Sequence, residues 1–287
     1  ITKTNRKIMI KPMLAYKLNQ HKINFKEFIY MQPKLDGVRC LFTKDGAFSR
    51  TGKQFMNVKH IEESLKDYFE QNPAMVLDGE LYNHNLRNDF EKIISLVRKQ
   101  KPTDEDRSEA RKLTQYHVYD YTNTSMSDMV NYKYRLNQLT CSDIYTSSIH
   151  YVESRRVKSM KQAKDFHTRK LAEGYEGSIL RTNTPYKHGR SWGLMKFKDF
   201  HDAEATIVDY QEGKGKRLGT IGKFIMQDDD GNVFGCPPGK GYNYTDLKWI
   251  LKDIHKYMGQ RATFTYFERT KAGSYRHPLF KTLRNYE

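Results

Sequence analysis

The chain has 287 residues, enough for one large domain or two domains with cores of their own. Lys and Arg number 50 against 34 Asp and Glu, a formal net charge of +16, and an excess that large calls for a polyanionic partner, most simply nucleic acid or nucleotide phosphates. No apolar run approaches about 18 residues and no signal-peptide or lipidation pattern is present, so no membrane partner is expected.

Three widely spaced cysteines, Cys40, Cys141 and Cys236, form no CxxC pair and argue for a reducing cytosol rather than a disulfide framework. The histidines lack zinc-ligand spacing. The first residue is Ile1 rather than methionine, so preceding residues are expected to be missing.

In chain order, "RKIMIKPMLAYKL" is a short apolar segment stopped by Pro12 and suits a docked N-terminal arm. "YMQPKLDGVRCLFT" and "GAFSRTGKQF" read as strands, with a hairpin turn at Lys44 to Gly46 between them. "NVKHIEESLKDYFEQ" places Val58, Ile61, Leu65 and Phe69 at helical spacing. "AMVLDGELYN" is a third strand, "NDFEKIISLVRKQ" an amphipathic helix starting near Asn88, and "QYHVYDYTN" another strand. The charged "KPTDEDRSEARK" reads as a solvated connector. Helical segments near Tyr132–Leu139 and Met160–Leu171 bracket a short strand around His150–Val152.

A strand, a basic loop and a second strand then lead through "EGSILRTNTPYKHGRSWGLMKFKDF" to a boundary near Phe200. The remaining residues form glycine-punctuated strands around one helix, "TDLKWILKDIHKYM", a pattern that suits a five-stranded barrel such as an OB-fold. The expected fold class is therefore α+β. Residues 1–199 form a domain of antiparallel sheets with flanking helices, and residues 200–287 a small barrel.

Several charged residues sit where solvent is not expected. A Lys-x-Asp-Gly segment is most often a turn with solvated charges. Lys34, however, follows an apolar strand, and a lysine nucleophile needs desolvation or neighbouring cations to lose its proton. Lys196 and Lys198 alternate in the apolar strand "GLMKFKDF"; they protect an edge strand or point together at a phosphate. Glu80 in "LDGEL" and Glu176 in "EGSIL" are acids inside apolar strands, suited to structural ion pairs or to a magnesium ion that also takes phosphate oxygens. Tyr119 is either core or a flat surface for a base. "GKGKRLGTIGK" lacks the GK[ST] spacing of a phosphate loop and reads better as a basic turn that binds DNA.

The order of these segments is more informative than any one of them. "KLDGVR", "SRTGKQF", "LDGEL", "HVYDY", "EGSILR" and "LMKFK" follow one another across most of the chain. The series resembles the nucleotidyltransferase motifs of ATP-dependent DNA ligases, and "KPMLA" and the compact length resemble the minimal viral and phage type. The resemblance implies an adenylation domain followed by an OB-fold DNA-binding domain, with ATP and Mg2+ (or Mn2+) as cofactors. Nicked double-stranded DNA is the implied partner, clamped or encircled by a monomer, with the cytoplasm (the host's, if the source is a virus or phage) as the setting.

It further implies that Lys34 attacks the α-phosphate of ATP to form lysyl-AMP, and that Lys196 and Lys198 neutralise that phosphate. Asp36 belongs near the nick 3′ end, and Arg39 by the ribose and nick. Arg50 and Arg190 belong on the 5′-phosphate, Glu80 on ribose or metal, and Glu176 on the metal. Tyr119 and Ile179 flank adenine, and Gln32 reads its edge. The family's closing Arg-x-Asp-Lys-like motif is reduced here to Arg284, Asn285 and Tyr286, so it is either degenerate or completed by residues beyond Glu287. An mRNA capping guanylyltransferase, an RNA ligase and a non-catalytic basic binding module are the competing expectations.

Overall fold

The computed structural model describes residues 10–87, 89–124, 129–197, 201–239, 241–270 and 273–284. The chain separates into two compact units, Ile1–Phe197 and Lys198–Glu287.

The first unit opens with strands β1 (Met13–Lys17), β2 (Ile29–Lys34), β3 (Val38–Thr43) and β4 (Gly46–Phe48). Helices α1 (Lys59–Ser64) and α2 (Lys66–Gln71) lead to β5 (Met75–Tyr82), then to α3 (Phe90–Val97) and α4 (Asp104–Leu113). Next come β6 (Gln115–Asn123), α5 (Tyr132–Cys141), β7 (Ile149–Tyr151) and β8 (Arg155–Val157). Helix α6 (Met160–Ala172), β9 (Gly177–Thr182) and β10 (Gly189–Phe197) complete the unit.

Two five-stranded sheets result, ordered β1-β10-β9-β2-β8 and β4-β3-β5-β6-β7. Strand alternation gives each sheet one apolar face. Ile29 and Met31 on β2, Leu180 on β9 and Met195 on β10 pack with Ala163 and Phe166 of α6. Phe42, Leu77, Tyr116 and Val118 of the other sheet pack with Ile61, Leu65, Phe69 and Val97 from α1 to α3. The residues between these apolar positions, Gln32 and Lys34 among them, are left for the opposite face.

The consequence for "KLDGVR" is direct. The stretch read as one strand is two, β2 and β3, in different sheets. Lys34 ends the first, and Leu35, Asp36 and Gly37 cross to the second. Gly37 is required by crowding: a Cβ there would lie 2.4 Å from the Leu81 carbonyl oxygen and 2.8 Å from Glu80 Cγ.

Other expectations are corrected. The sheets are mixed rather than antiparallel, because β1 with β10 and β6 with β7 pair in parallel. The charged connector is helix α4, started by a capping box in which Thr103 and Asp106 satisfy each other's backbone N–H groups. The helix expected over residues 57–71 breaks at Leu65, and the strand expected over 46–55 ends at Phe48. Asn88, Lys198 and Phe200 lie outside the described residues.

The second unit contains β11 (His201–Glu212), β12 (Ile221–Gln227), β13 (Val233–Cys236), α7 (Tyr244–Lys252) and β14 (Arg261–Tyr266). The two-residue strands β15 (Glu268–Arg269) and β16 (Tyr275–Arg276) pair as a ribbon before β17 (Leu279–Leu283). Its antiparallel sheet runs β13-β12-β11-β14-β17 around Ile207, Phe224, Phe264 and Phe280, against Ile250 of α7. A parallel bridge from Pro238 to Phe280 also joins the segment after β13 to β17.

Gly37→Ala is expected to cost about 1–3 kcal/mol of unfolding free energy, as overpacking does. Urea unfolding measures it, and an unchanged midpoint would contradict the close approach.

Candidate active site

The site lies between the two polar faces of the first unit. In the first sheet one register row runs Lys17, Lys196, Ile179, Gln32, each the Cα partner of the next. Lys34 is two residues beyond Gln32 on the same strand and so shares its face. Glu176 immediately precedes β9. Its N–H donates to the Lys34 carbonyl at 3.2 Å, and its side chain forms an ion pair with Lys34 Nζ.

The second sheet contributes Arg39, Asp78, Glu80, Tyr119 and Asp120. Arg39 is the Cα partner of Glu80. Asp78 pairs with Asp120 and Gly79 with Val118, so Tyr119 is the extra residue of a β-bulge. The bulge changes the alternation: Val118 and Tyr121 both join the apolar core, Tyr119 packs only against its margin, and Asp120 turns to the polar side.

Charge pairs fill the space between the sheets. Arg39 meets buried Asp78 through two bonds, Nε to Oδ1 at 2.9 Å and Nη2 to Oδ2 at 2.5 Å. Burial works against the Arg39 cation, but Asp78 more than offsets it and holds its pKa above the usual arginine value. Tyr186 donates its hydroxyl to Asp78 Oδ2 at 2.6 Å.

Asp120 accepts from Arg135 at 2.8 and 3.1 Å and from Arg181 Nη1 at 2.6 Å. Burial would raise the Asp120 pKa, yet the two guanidiniums keep it below its ordinary value. Arg181 also donates to Gln32 Oε1 at 2.6 Å, while Gln32 Nε2 donates to the Tyr132 hydroxyl at 2.9 Å and Ser154 Oγ at 2.8 Å. The Gln32 amide is thus held on both sides, with one lone pair of Oε1 left over.

Tyr119 has a guanidinium carbon of Arg39 5.6 Å from its ring centre and that of Arg181 at 5.4 Å. Its hydroxyl donates to Glu80 Oε2 at 3.4 Å. Glu80 is pushed up from 4.5 to about 7, because burial outweighs the attraction of Lys34 and Arg39.

Lys34, Glu176, Glu80, Arg39, Tyr119, Gln32, Ile179 and Lys196 therefore converge on the facing sides of the two sheets. Asp36 lies on the crossover. Arg50 is exposed at the tip of a tight turn closed by the Gly52 N–H on the Ser49 carbonyl at 2.9 Å, with Gly52 at φ +83. Arg190, at the start of β10, donates to the Ala15 carbonyl at 2.7 Å. Arg284, in the second unit, pairs with Glu204. Lys198, Asn285 and Tyr286 lie outside the described residues.

Sequence reasoning missed Asp78, Asp120, Arg135 and Arg181. Asp78 and Asp120 stand inside the segments "LDGEL" and "HVYDY", and Arg181 ends "EGSILR". For Asp78 the available signal was a charged residue among apolar neighbours; Asp120, Arg135 and Arg181 gave none that strand or helix spacing could resolve.

The comparisons with known proteins give the family. The chain belongs to the ATP-dependent DNA ligase domain family, whose profile matches residues 12–198. It is similar to a DNA ligase of African swine fever virus, 34% identical over 238 residues, which are 76% of this chain and 54% of that protein. It thus spans about half the length of the viral relatives it matches. A Haemophilus influenzae DNA ligase is 26% identical over 271 residues, 94% of this chain and 90% of the relative. Among solved structures, a Lig E DNA ligase shares the fold with a TM-score of 0.78 at 24% identity, covering 96% of this chain and 99% of the other.

The Glu80 carboxyl makes stability depend on pH. Between its ordinary 4.5 and about 7 the folded protein keeps a proton that the unfolded chain has lost, so stability falls as pH rises through that window. Glu80→Gln has no such proton. Urea unfolding at pH 5 and pH 8 should show the variant gaining on the parent protein by on the order of 3 kcal/mol between the two conditions. An equal difference at both would contradict the assignment.

Proposed function

We propose that the protein is an ATP-dependent DNA ligase that seals nicks in duplex DNA through a lysyl-AMP intermediate. The observation that carries this reading is the contact of Lys34 with Glu176 at the seam between the sheets, with Glu80 opposite. An amine placed there has acids beside it and the cations of Lys196 and Arg39 nearby, the surroundings that nucleotide phosphates need.

Loss of the ammonium proton to solvent, by way of the Glu176 carboxylate that touches it, leaves the Lys34 lone pair free. Nζ then attacks the α-phosphorus of ATP. An N–P bond forms, the bridging P–O bond breaks, and pyrophosphate leaves with the electron pair. A 5′-phosphate oxygen of the nick next attacks the same phosphorus and frees the amine. The 3′-hydroxyl finally attacks the 5′-phosphate, joins the strand and expels AMP.

In this reading Lys196 and Lys198 neutralise the α-phosphate and Arg39 holds the ribose. Tyr119 and Ile179 flank adenine, with Gln32 at the edge of the base. Asp36 belongs at the 3′ end, Arg50 and Arg190 at the 5′-phosphate, and Arg284 with pyrophosphate. Among the described residues no three His, Cys, Asp or Glu are grouped to cage a metal. One or two carboxylates completed by phosphate oxygens is the donor set Mg2+ favours, and Glu80 with Glu176 fits it. A bound Mg2+ (or Mn2+) would supply charge neutralisation at the reacting phosphate.

Residues 1–199 would then be the adenylation domain, and 200–287 an OB-fold that binds DNA. The Pro238–Phe280 bridge supports closure of that sheet. A monomer clamping the duplex suits the net charge of +16. Similarity to the viral relatives supports action in the cytoplasm.

Incubated with labelled ATP and Mg2+, the protein should gain one AMP, and Lys34→Ala should gain none while still binding nicked duplex. Labelling of that variant would exclude Lys34 as the nucleophile. Duplex affinity should fall on the order of 10³-fold between 50 and 200 mM salt. A flat salt response would count against DNA as the main ligand.

A further inference from the structure

The pairing of β1 with β10 is interrupted at one place. Met13, Leu14 and Ala15 oppose Gly189, Arg190 and Ser191, but Tyr16 opposes Met195, so residues 192–194 form a bulge. Gly193 allows it to close down, since a Cβ there would lie 2.3 Å from Thr184 Oγ1 and 2.6 Å from Met13 Cε. The bulge lifts Trp192 onto Tyr16, with ring centres 4.0 Å apart and planes within 13°.

Neither ring belongs to any hydrophobic core cluster of the described residues. Trp192 keeps 38% of its surface exposed. Cations close both ends of the stack: the Arg190 guanidinium lies 5.5 Å from the Tyr16 ring centre and Lys22 Nζ 5.8 Å from that of Trp192. Arg190 is held further by its 2.7 Å bond to the Ala15 carbonyl, so it meets a ligand already ordered.

We propose that this Arg190–Tyr16–Trp192–Lys22 ladder is a rail for the sugar–phosphate backbone of duplex DNA, extending the phosphate contact of Arg190 along the strand. The inference rests on the reading above that nicked DNA is the substrate. Its two cations, held apart by the stack, suit phosphates of one strand that are not immediate neighbours, and the exposed aromatic edges suit the apolar face of deoxyribose between them. A large indole stacked on a surface, outside the core clusters of the described residues, marks a contact site rather than a packing residue. Polyanionic backbone is the occupant that matches its charge. The neutral sheet-edge reading gives no reason for a cation at each end.

The chain has two tryptophans, so Trp249→Phe leaves Trp192 as the only indole. Titrating that variant with nicked duplex should change the Trp192 emission saturably, with the midpoint of binding measured independently. Trp192→Ala should weaken duplex binding about 10-fold, as loss of an aromatic contact does, and Trp192→Phe, which keeps a stack, should recover most of it. Lys22→Ala should reduce the slope of log affinity against log salt by about one. Silent Trp192 emission at saturating duplex, or unweakened binding by Trp192→Ala, would overturn the rail. Should Trp192→Ala fail to fold, the emission titration decides alone. If the parent protein takes no AMP from ATP, the ligase reading fails. If it takes AMP and binds duplex while Trp192 stays silent, this inference alone fails.

Discussion

The Asp120 carboxylate receives two guanidiniums from different parts of the first unit. Arg135 reaches it from α5, and Arg181 from β9 in the other sheet. Arg181 passes the connection on to Gln32, two residues before Lys34 on β2. The separation of the sheets near Lys34 is therefore set by one buried ionic triad and an amide. Burying three charges gains little stability overall, but breaking such a set is costly, because any member left alone is an uncompensated charge. A fixed gap is what the arrangement secures. Apolar side chains of similar size would fill the space without holding a strand end in register with the acids opposite.

That gap sets the surroundings of the lysine segment. Lys34 stands where the chain leaves one sheet for the other, so it is bound to β2 on one side and faces β5 across the crossing. Glu176, just ahead of β9, meets it through both backbone and side chain. Lys34, Arg39 and Glu80 are held on strands and Glu176 directly beside the start of one, which keeps their geometry tight. Cations on the outer surface, Arg50 and Arg190 among them, are instead held by a turn and a strand end.

Much of this was legible in the sequence. Lys34, Glu80 and Glu176 stand out because acids and lysines beside glycine interrupt apolar strands. The helices near Tyr132 and Met160 carry clear spacing. The triad was hidden for a physical reason. Asp120 reaches the polar side only because Tyr119 is an extra residue in β6, and a bulge cannot be read from alternation that it breaks. Helix α4 was hidden because its stability comes from a capping box and charge placement at its ends rather than from an apolar stripe. The split of one apparent strand into β2 and β3 depended on crowding at Gly37, which is visible only once β5 is in place.

The most direct measurement is a double-mutant cycle on Asp120→Asn and Arg181→Met, read as unfolding free energy in urea. If the buried pair joins the sheets, each single substitution costs about 3–5 kcal/mol. The double variant should then cost less than their sum by about 2 kcal/mol or more. Strictly additive losses would contradict the claim that this pair holds the site together.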